Sequence, residues 1–146
     1  MESNNPYSPP ASRVADPAEN VSLDEIDALP VSDKWKIRFR AISKAGGVRL
    51  PNIKNLPKSE RRGANGFNAL AFFFGPFYYM AKGMWRRGIT LFLVCLGVLL
   101  VVELILEYFG LSKFSKSLGY GVGAVFAVRA NIDFYKKMVL KDYGWW

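Results

Sequence analysis

The sequence has no histidine and one cysteine, Cys95. Without histidine the usual general base is missing, together with the commonest zinc ligand and the ordinary Ser-His and Cys-His nucleophile pairs. A lone cysteine permits neither an internal disulfide framework nor a multi-thiolate metal cluster. Most hydrolase and metalloenzyme chemistries are therefore excluded, and no cofactor or metal is expected. Acidic residues are also scarce after Asp33: Glu60, Glu103, Glu107, Asp133 and Asp142 stand against 19 Lys and Arg. What is present is a chain of 146 residues, 51% apolar, with a formal charge of +8. These averages suit one basic soluble domain, but the distribution does not.

Charge and apolarity are both segregated. Residues 1–33 hold seven acidic residues against Arg13, whereas residues 34–64 hold ten Lys or Arg against Glu60. Almost every long apolar run follows Phe67. Residues 1–20, rich in Pro, Ser, Asn and Ala, offer no periodic apolar face and are expected to be disordered. They also lack the pattern of a cleavable signal peptide, which leaves the tail in the cytoplasm. Ser22 and Glu25 then form a capping-box spacing, with Val21 and Ile26 as a hydrophobic staple and Pro30 as a stop.

Ser32 is placed to cap a second helix that runs to about Ala45, before Gly46 and Gly47. Trp35, Phe39 and Ile42 share one face of it, and Lys34, Lys36, Arg38, Arg40 and Lys44 spread around the rest. Two uses fit such a basic amphipathic helix. It can lie on an anionic leaflet, where each basic side chain contributes about 1 kcal/mol, or it can pack its aromatic stripe on the rest of the protein. No recognised base-reading module surrounds the segment, so nucleic acid is not the expected partner.

Ile89–Phe109 is 21 residues with Glu103 and Glu107 as its only charges. At the helical rise it reaches about 32 Å, enough for a hydrocarbon core of about 30 Å. A second, less apolar span is expected over about Phe114–Tyr135, with Gly119, Gly123 and Ala127 recurring every four positions as a close-packing face. Between the basic helix and these spans lies Phe67–Met80, FNALAFFFGPFYYM. It is short for a crossing, and Gly75-Pro76 interrupts any helix in its middle. Its aromatic residues suit a re-entrant segment at headgroup depth.

Topology follows from where the cations fall. If Phe67–Met80 crosses fully, Lys82, Arg86, Arg87, Lys136, Lys137 and Lys141 lie outside. If it dips and returns, all six are cytoplasmic and only Lys113 and Lys116 face out, which obeys the positive-inside bias. The expected architecture is thus an all-α membrane protein: a disordered tail (1–20), a cytoplasmic basic helical segment (21–65), a membrane domain (66–137) of aromatic re-entrant segment and two-helix transmembrane hairpin, and a cytoplasmic aromatic tail (138–146). A three-span arrangement is the alternative.

Intramembrane charges are functional candidates, here Glu103, Arg129, Asn131 and Asp133. A turn near Ser112 puts Glu103 and Arg129 about 10 Å out of register by helix rise, so Arg129 is expected to pair with Asp133 at i, i+4 or to snorkel to the headgroups. A polar site would also include Asn68. Tyr143, Trp145 and Trp146 read as an interfacial anchor or a mobile tail, and Cys95 as a packing residue.

The blocks PVSDKWKIRFRAISKAGG (30–47), FNALAFFFGPFYYMAKGMWRRG (67–88) and RANIDFYKK (129–137) resemble small bacterial inner-membrane proteins of the domain of unknown function 2628 family. The most specific part is the series Asn68, Phe72, Phe73, Phe74, Gly75, Pro76, Tyr78, Tyr79, Gly83, Met84 and Trp85. The resemblance implies a place and a fold and no reaction. The expected role is a non-enzymatic inner-membrane protein that binds anionic lipid or a membrane partner, or a second copy of itself. The contact residues would be Trp35, Lys36, Arg38, Phe39 and Arg40 of the basic helix, Asn68, Phe72, Phe73, Phe74, Gly75 and Pro76 of the wedge, and Trp85, Arg86 and Arg87 after it. An oligomeric transporter or channel subunit is the alternative.

Overall fold

The computed structural model describes residues 21–146; the expected disorder of 1–20 lies outside them. The described residues form α1 (Leu23–Asp27), α2 (Asp33–Lys44), α3 (Lys58–Ala64), α4 (Ala69–Ala81), α5 (Trp85–Tyr108) and α6 (Ser115–Met138), with short 3-10 turns at Gly47–Arg49, Ile53–Asn55 and Ser112–Phe114. No strand occurs among them.

Local signals place the first helices. The Ser22 hydroxyl accepts the Glu25 N–H at 3.2 Å, and Ile26 is fully buried. Ser32 occupies the position before α2 in an extended conformation, but its hydroxyl makes no cap bond, contrary to expectation. Gly46 then ends the helix at φ 91°; a Cβ there would lie 2.6 Å from the Pro51 ring. The left-handed turn and the proline packed against it both require glycine.

The aromatic stripe of α2 packs on α6. Phe39 is fully buried against Phe134 and Tyr135, with ring centroids 5.7 Å away in both cases, and Trp35 meets Phe134 edge-on at 4.6 Å. Burying one such ring contributes about 1.5–3 kcal/mol. Of the two uses left open by the sequence, the described conformation realises the intramolecular one. The acidic and basic zones also meet: Arg40 pairs with Asp27, and Lys36 Nζ donates to the Asp27 carbonyl at 2.7 Å.

α4 is two short arms rather than one rod. At Gly75 the backbone takes φ 45° and ψ −118°, and Pro76 follows. Both arms lean on α6. The Asn68 N–H donates to the Ala127 carbonyl at 3.2 Å on the way in; on the way out the Tyr79 ring packs on Phe126, centroids 5.3 Å apart. Between them the tip, Phe72–Phe77, lies beside Gly119, Tyr120 and Gly123. From Asn131 to Gly119 α6 rises about 18 Å, which sets the depth of the wedge.

The chain leaves α4 through Gly83 (φ 67°) and enters α5, which runs antiparallel to α6. Gly88 meets the returning arm so closely that a Cβ would lie 2.8 Å from Tyr79 Cβ. Among the described helices α5 alone is long and apolar enough to cross a membrane. Its partner α6 is as long but carries Arg129, Asp133, Lys136 and Lys137 in its second half, so the expectation of two spans is met by length and apolarity in one helix only.

Candidate functional site

Polar side chains collect where the two arms of α4 meet α6. Asn68 caps the first arm, its Oδ1 accepting the Ala71 N–H at 3.2 Å. Its Nδ2 donates to the Tyr78 hydroxyl at 3.0 Å and to Asn131 Oδ1 at 3.3 Å. Asn131 in turn donates to the Gly66 carbonyl at 2.7 Å and accepts from Arg38 of α2 at 3.5 Å. Asn68 and Asn131 are both buried, so each unmade bond here would cost about 1–3 kcal/mol. The network ties the chain before the wedge, the wedge's second arm, α6 and the basic helix at one point.

A charged network centres on Asp133, two residues beyond Asn131 on α6. The Tyr79 hydroxyl donates to Asp133 Oδ2 at 2.8 Å, and Arg129 Nε lies 3.6 Å from the same oxygen. Asp133 is 1% exposed. Arg87, 4% exposed, donates to the Asp133 carbonyl at 2.9 Å and pairs with the Asp142 carboxylate at 2.8 Å. Among the described residues Arg87 Nε, Asp133 Oδ1 and the Tyr135 hydroxyl are buried without a hydrogen-bond partner. The Arg129 guanidinium stacks on Trp146 at 4.3 Å, and Trp145 meets Trp85 edge-on at 5.7 Å. The terminal aromatics therefore dock on the helices, Trp145 at the start of α5 and Trp146 at Arg129 within α6.

Several residues expected in contact with lipid or a partner lie elsewhere. Phe39 and Arg87 are buried inside the protein, the first because α6 offers an aromatic face and the second because the C-terminal segment folds over it. Lys36 and Arg40 are engaged by Asp27, and Arg38 reaches Asn131 and the Trp35 ring, 4.8 Å away. Phe73 and Phe74 are exposed at the wedge tip, Phe72 and Pro76 half-buried and Gly75 buried. Trp85 and Arg86 are exposed at the start of α5.

The small-residue face divides. A Cβ on Gly123 would lie 2.7 Å from the Phe72 carbonyl, and Ala127 is fully buried, whereas Gly119 has nothing within 4 Å. Its close approach is to the wedge and not to α5. Arg129 pairs with Asp133 as the spacing suggests, while Glu103 stays exposed on the far half of α5. Cys95 is buried on α5. Sequence reasoning missed the roles of Tyr78 and Tyr79; two adjacent tyrosines one residue beyond Gly75-Pro76 were the available signal.

No cluster of three or more metal-ligating side chains occurs among the described residues. The two networks are amides, phenols and arginine-paired carboxylates, groups that fix geometry. They define an all-helical protein organised around a broken, back-folding aromatic segment. Residues 32–139 match the family of proteins of unknown function DUF2628, and the chain belongs to that family. No curated protein and no solved structure matches it.

Proposed function

We propose that this chain is a multi-pass protein of the bacterial inner membrane, N-terminus cytoplasmic, that inserts an aromatic wedge into the cytoplasmic leaflet and binds anionic lipid or a membrane partner at the wedge's base. The observation that carries the reading is the fold-back of α4. Its two ends share a hydrogen bond while Phe73 and Phe77 at its tip are 77% and 73% exposed. Apolar rings held outward by a buried polar base suit lipid and are costly in water. α5 supports the same environment, since only 11% of its most apolar 18-residue stretch is buried, whereas the core helix of a water-soluble protein is mostly enclosed. α6 would complete a hairpin with the basic residues of both helices at one end.

The role is non-enzymatic: the wedge displaces acyl chains in one leaflet, and exposed cations at its base select headgroups. Each basic group near an anionic surface contributes about 1 kcal/mol. Purified protein reconstituted in mixed bilayers should retain phosphatidylglycerol over phosphatidylcholine, with a preference that falls as salt rises. Equal retention of the two lipids at every salt concentration would contradict the lipid reading.

One observation favours a second reading, an oligomeric transporter or channel subunit. Gly119 and Gly121 meet nothing within 4 Å and leave part of α6 open to a close-packed neighbour. Crosslinks between chains through engineered cysteines at these positions would support it, and monomers alone would remove it.

A further inference from the structure

A cavity of about 230 Å³ opens at the start of α5, between the exit from the wedge and the C-terminal segment. Arg86, Arg87 and Lys137 line it, with Trp85, Tyr143 and the Asp142 carboxylate. Three features make it a site for an oxyanion. First, the N-terminus of α5 is uncapped: Met84 supplies no side-chain acceptor, and Gly88 is the first residue whose N–H reaches a carbonyl inside the turn, that of Met84 at 3.0 Å. The amides of Trp85, Arg86 and Arg87 precede it, and such N–H groups with the helix dipole attract anions. Second, the cations outnumber the acid. Asp142 is held by Arg87 at 2.8 Å, which leaves Arg86 and Lys137 with no acidic partner within 4.0 Å among the described residues. Third, Arg87 in the cavity wall is 4% exposed, and its terminal nitrogens are fixed by the Asp133 carbonyl at 2.9 Å and the Asp142 carbonyl at 3.0 Å, so the start of α5 is held in place around the cavity.

Gly83 makes room for the arrangement. A Cβ there would lie 2.5 Å from Lys137 Nζ, and without one the ammonium reaches the Lys82 carbonyl at 2.6 Å. That bond uses one of its three protons and leaves two for a ligand.

We propose that this cavity binds a phosphate group, through Arg86, Lys137 and the first amides of α5. The phosphate is either free in solution or the headgroup phosphate of an anionic lipid, its charge not balanced by a choline, whose chains lie along the wedge; the second source rests on the membrane reading above. Trp85 in the wall provides a probe.

The full chain in dodecyl maltoside, a detergent without phosphate, is titrated with inorganic phosphate at fixed ionic strength while tryptophan emission is followed. In parallel, lipid retained from a phosphatidylglycerol–phosphatidylcholine mixture is measured by mass spectrometry. Arg86→Gln tests the site with little risk to the fold, because Arg86 is exposed and its guanidinium lies over the Trp85 and Trp145 rings at the surface; Lys137→Gln is the second variant. Losing one charge-assisted contact weakens binding about tenfold or more. A saturable response to phosphate that weakens by that factor in both variants supports the site with a soluble source. No response, but phosphatidylglycerol enrichment lost in both variants, supports it with a lipid source. Enrichment that salt abolishes and neither variant changes overturns the site and leaves the membrane reading standing. Absence of both phosphate response and enrichment overturns both.

Discussion

Asn68 and Tyr78 are ten residues apart in sequence and joined by a 3.0 Å hydrogen bond from the amide nitrogen to the phenol. A continuous helix would separate them by about 15 Å along its axis. The bond exists because the chain reverses at Gly75, and it holds the reversal closed. Tyr78→Phe should therefore destabilise the folded protein by about 1–3 kcal/mol, since the buried Asn68 amide loses a partner. Asn68→Leu should cost more, because Asn131 loses a partner too. Thermal unfolding in detergent compares them; equal stability of wild type and Asn68→Leu would show that the network holds nothing.

Gly75 sits at φ 45° and ψ −118°, a region closed to residues with a Cβ, although the space around it is open apart from Phe126 at 3.9 Å. Gly75→Ala should destabilise by about 1–3 kcal/mol through backbone strain alone. Gly97→Ala, in open space on α5, is the control and should be neutral or slightly stabilising. If both alanines behave alike, the reversal at Gly75 is not the native conformation.

The crowding at Gly123 makes a separable prediction. Gly123→Ala places a methyl 2.7 Å from the Phe72 carbonyl and should loosen the first arm of the wedge, whereas Gly119→Ala should be silent. Limited proteolysis between residues 65 and 70 reads this directly: faster cleavage is expected in the first variant and an unchanged rate in the second.

Part of this architecture is readable from local pattern. The break at Gly75-Pro76, the long apolar helix from Trp85 and the Arg129–Asp133 spacing each depend on neighbours within a turn or two, and sequence periodicity reports such relations. The site depends on relations it does not report. Arg87 looks like one more cytoplasmic cation until Asp142, 55 residues later, folds back to neutralise it. Phe39 fits a membrane-facing stripe equally well as an internal one, and the choice rests on the aromatic face that Phe134 and Tyr135 offer. Tyr78 and Tyr79 belong to an aromatic run by composition, yet their hydroxyls are what bind the wedge to Asn68 and Asp133.

Docking of α2 on α6 implies that its stripe is structural. Phe39→Ala should cost about 3–5 kcal/mol at a fully buried ring and release the segment from residue 21 to 65 to added protease. An unchanged cleavage pattern would mean that the basic helix is held by the membrane surface instead.

Tyr79 and Asp133 act as a unit. Tyr79→Phe and Asp133→Ala should each destabilise by about 1–3 kcal/mol or more, and the double variant by less than their sum, because both remove the 2.8 Å bond. Strict additivity in a double-mutant cycle would show that the two residues do not interact.

The most direct test of the account is the side of the membrane on which each end of the wedge lies. Single cysteines are placed at Ser59, Lys82, Lys113 and Lys141 in a Cys95→Ala background and exposed to a membrane-impermeant thiol reagent in intact cells. Labelling is expected at position 113 alone, with 59, 82 and 141 labelled only after the membrane is opened. Labelling of 82 from outside while 59 stays protected would mean that Phe67–Met80 crosses the bilayer, and would contradict the re-entrant wedge.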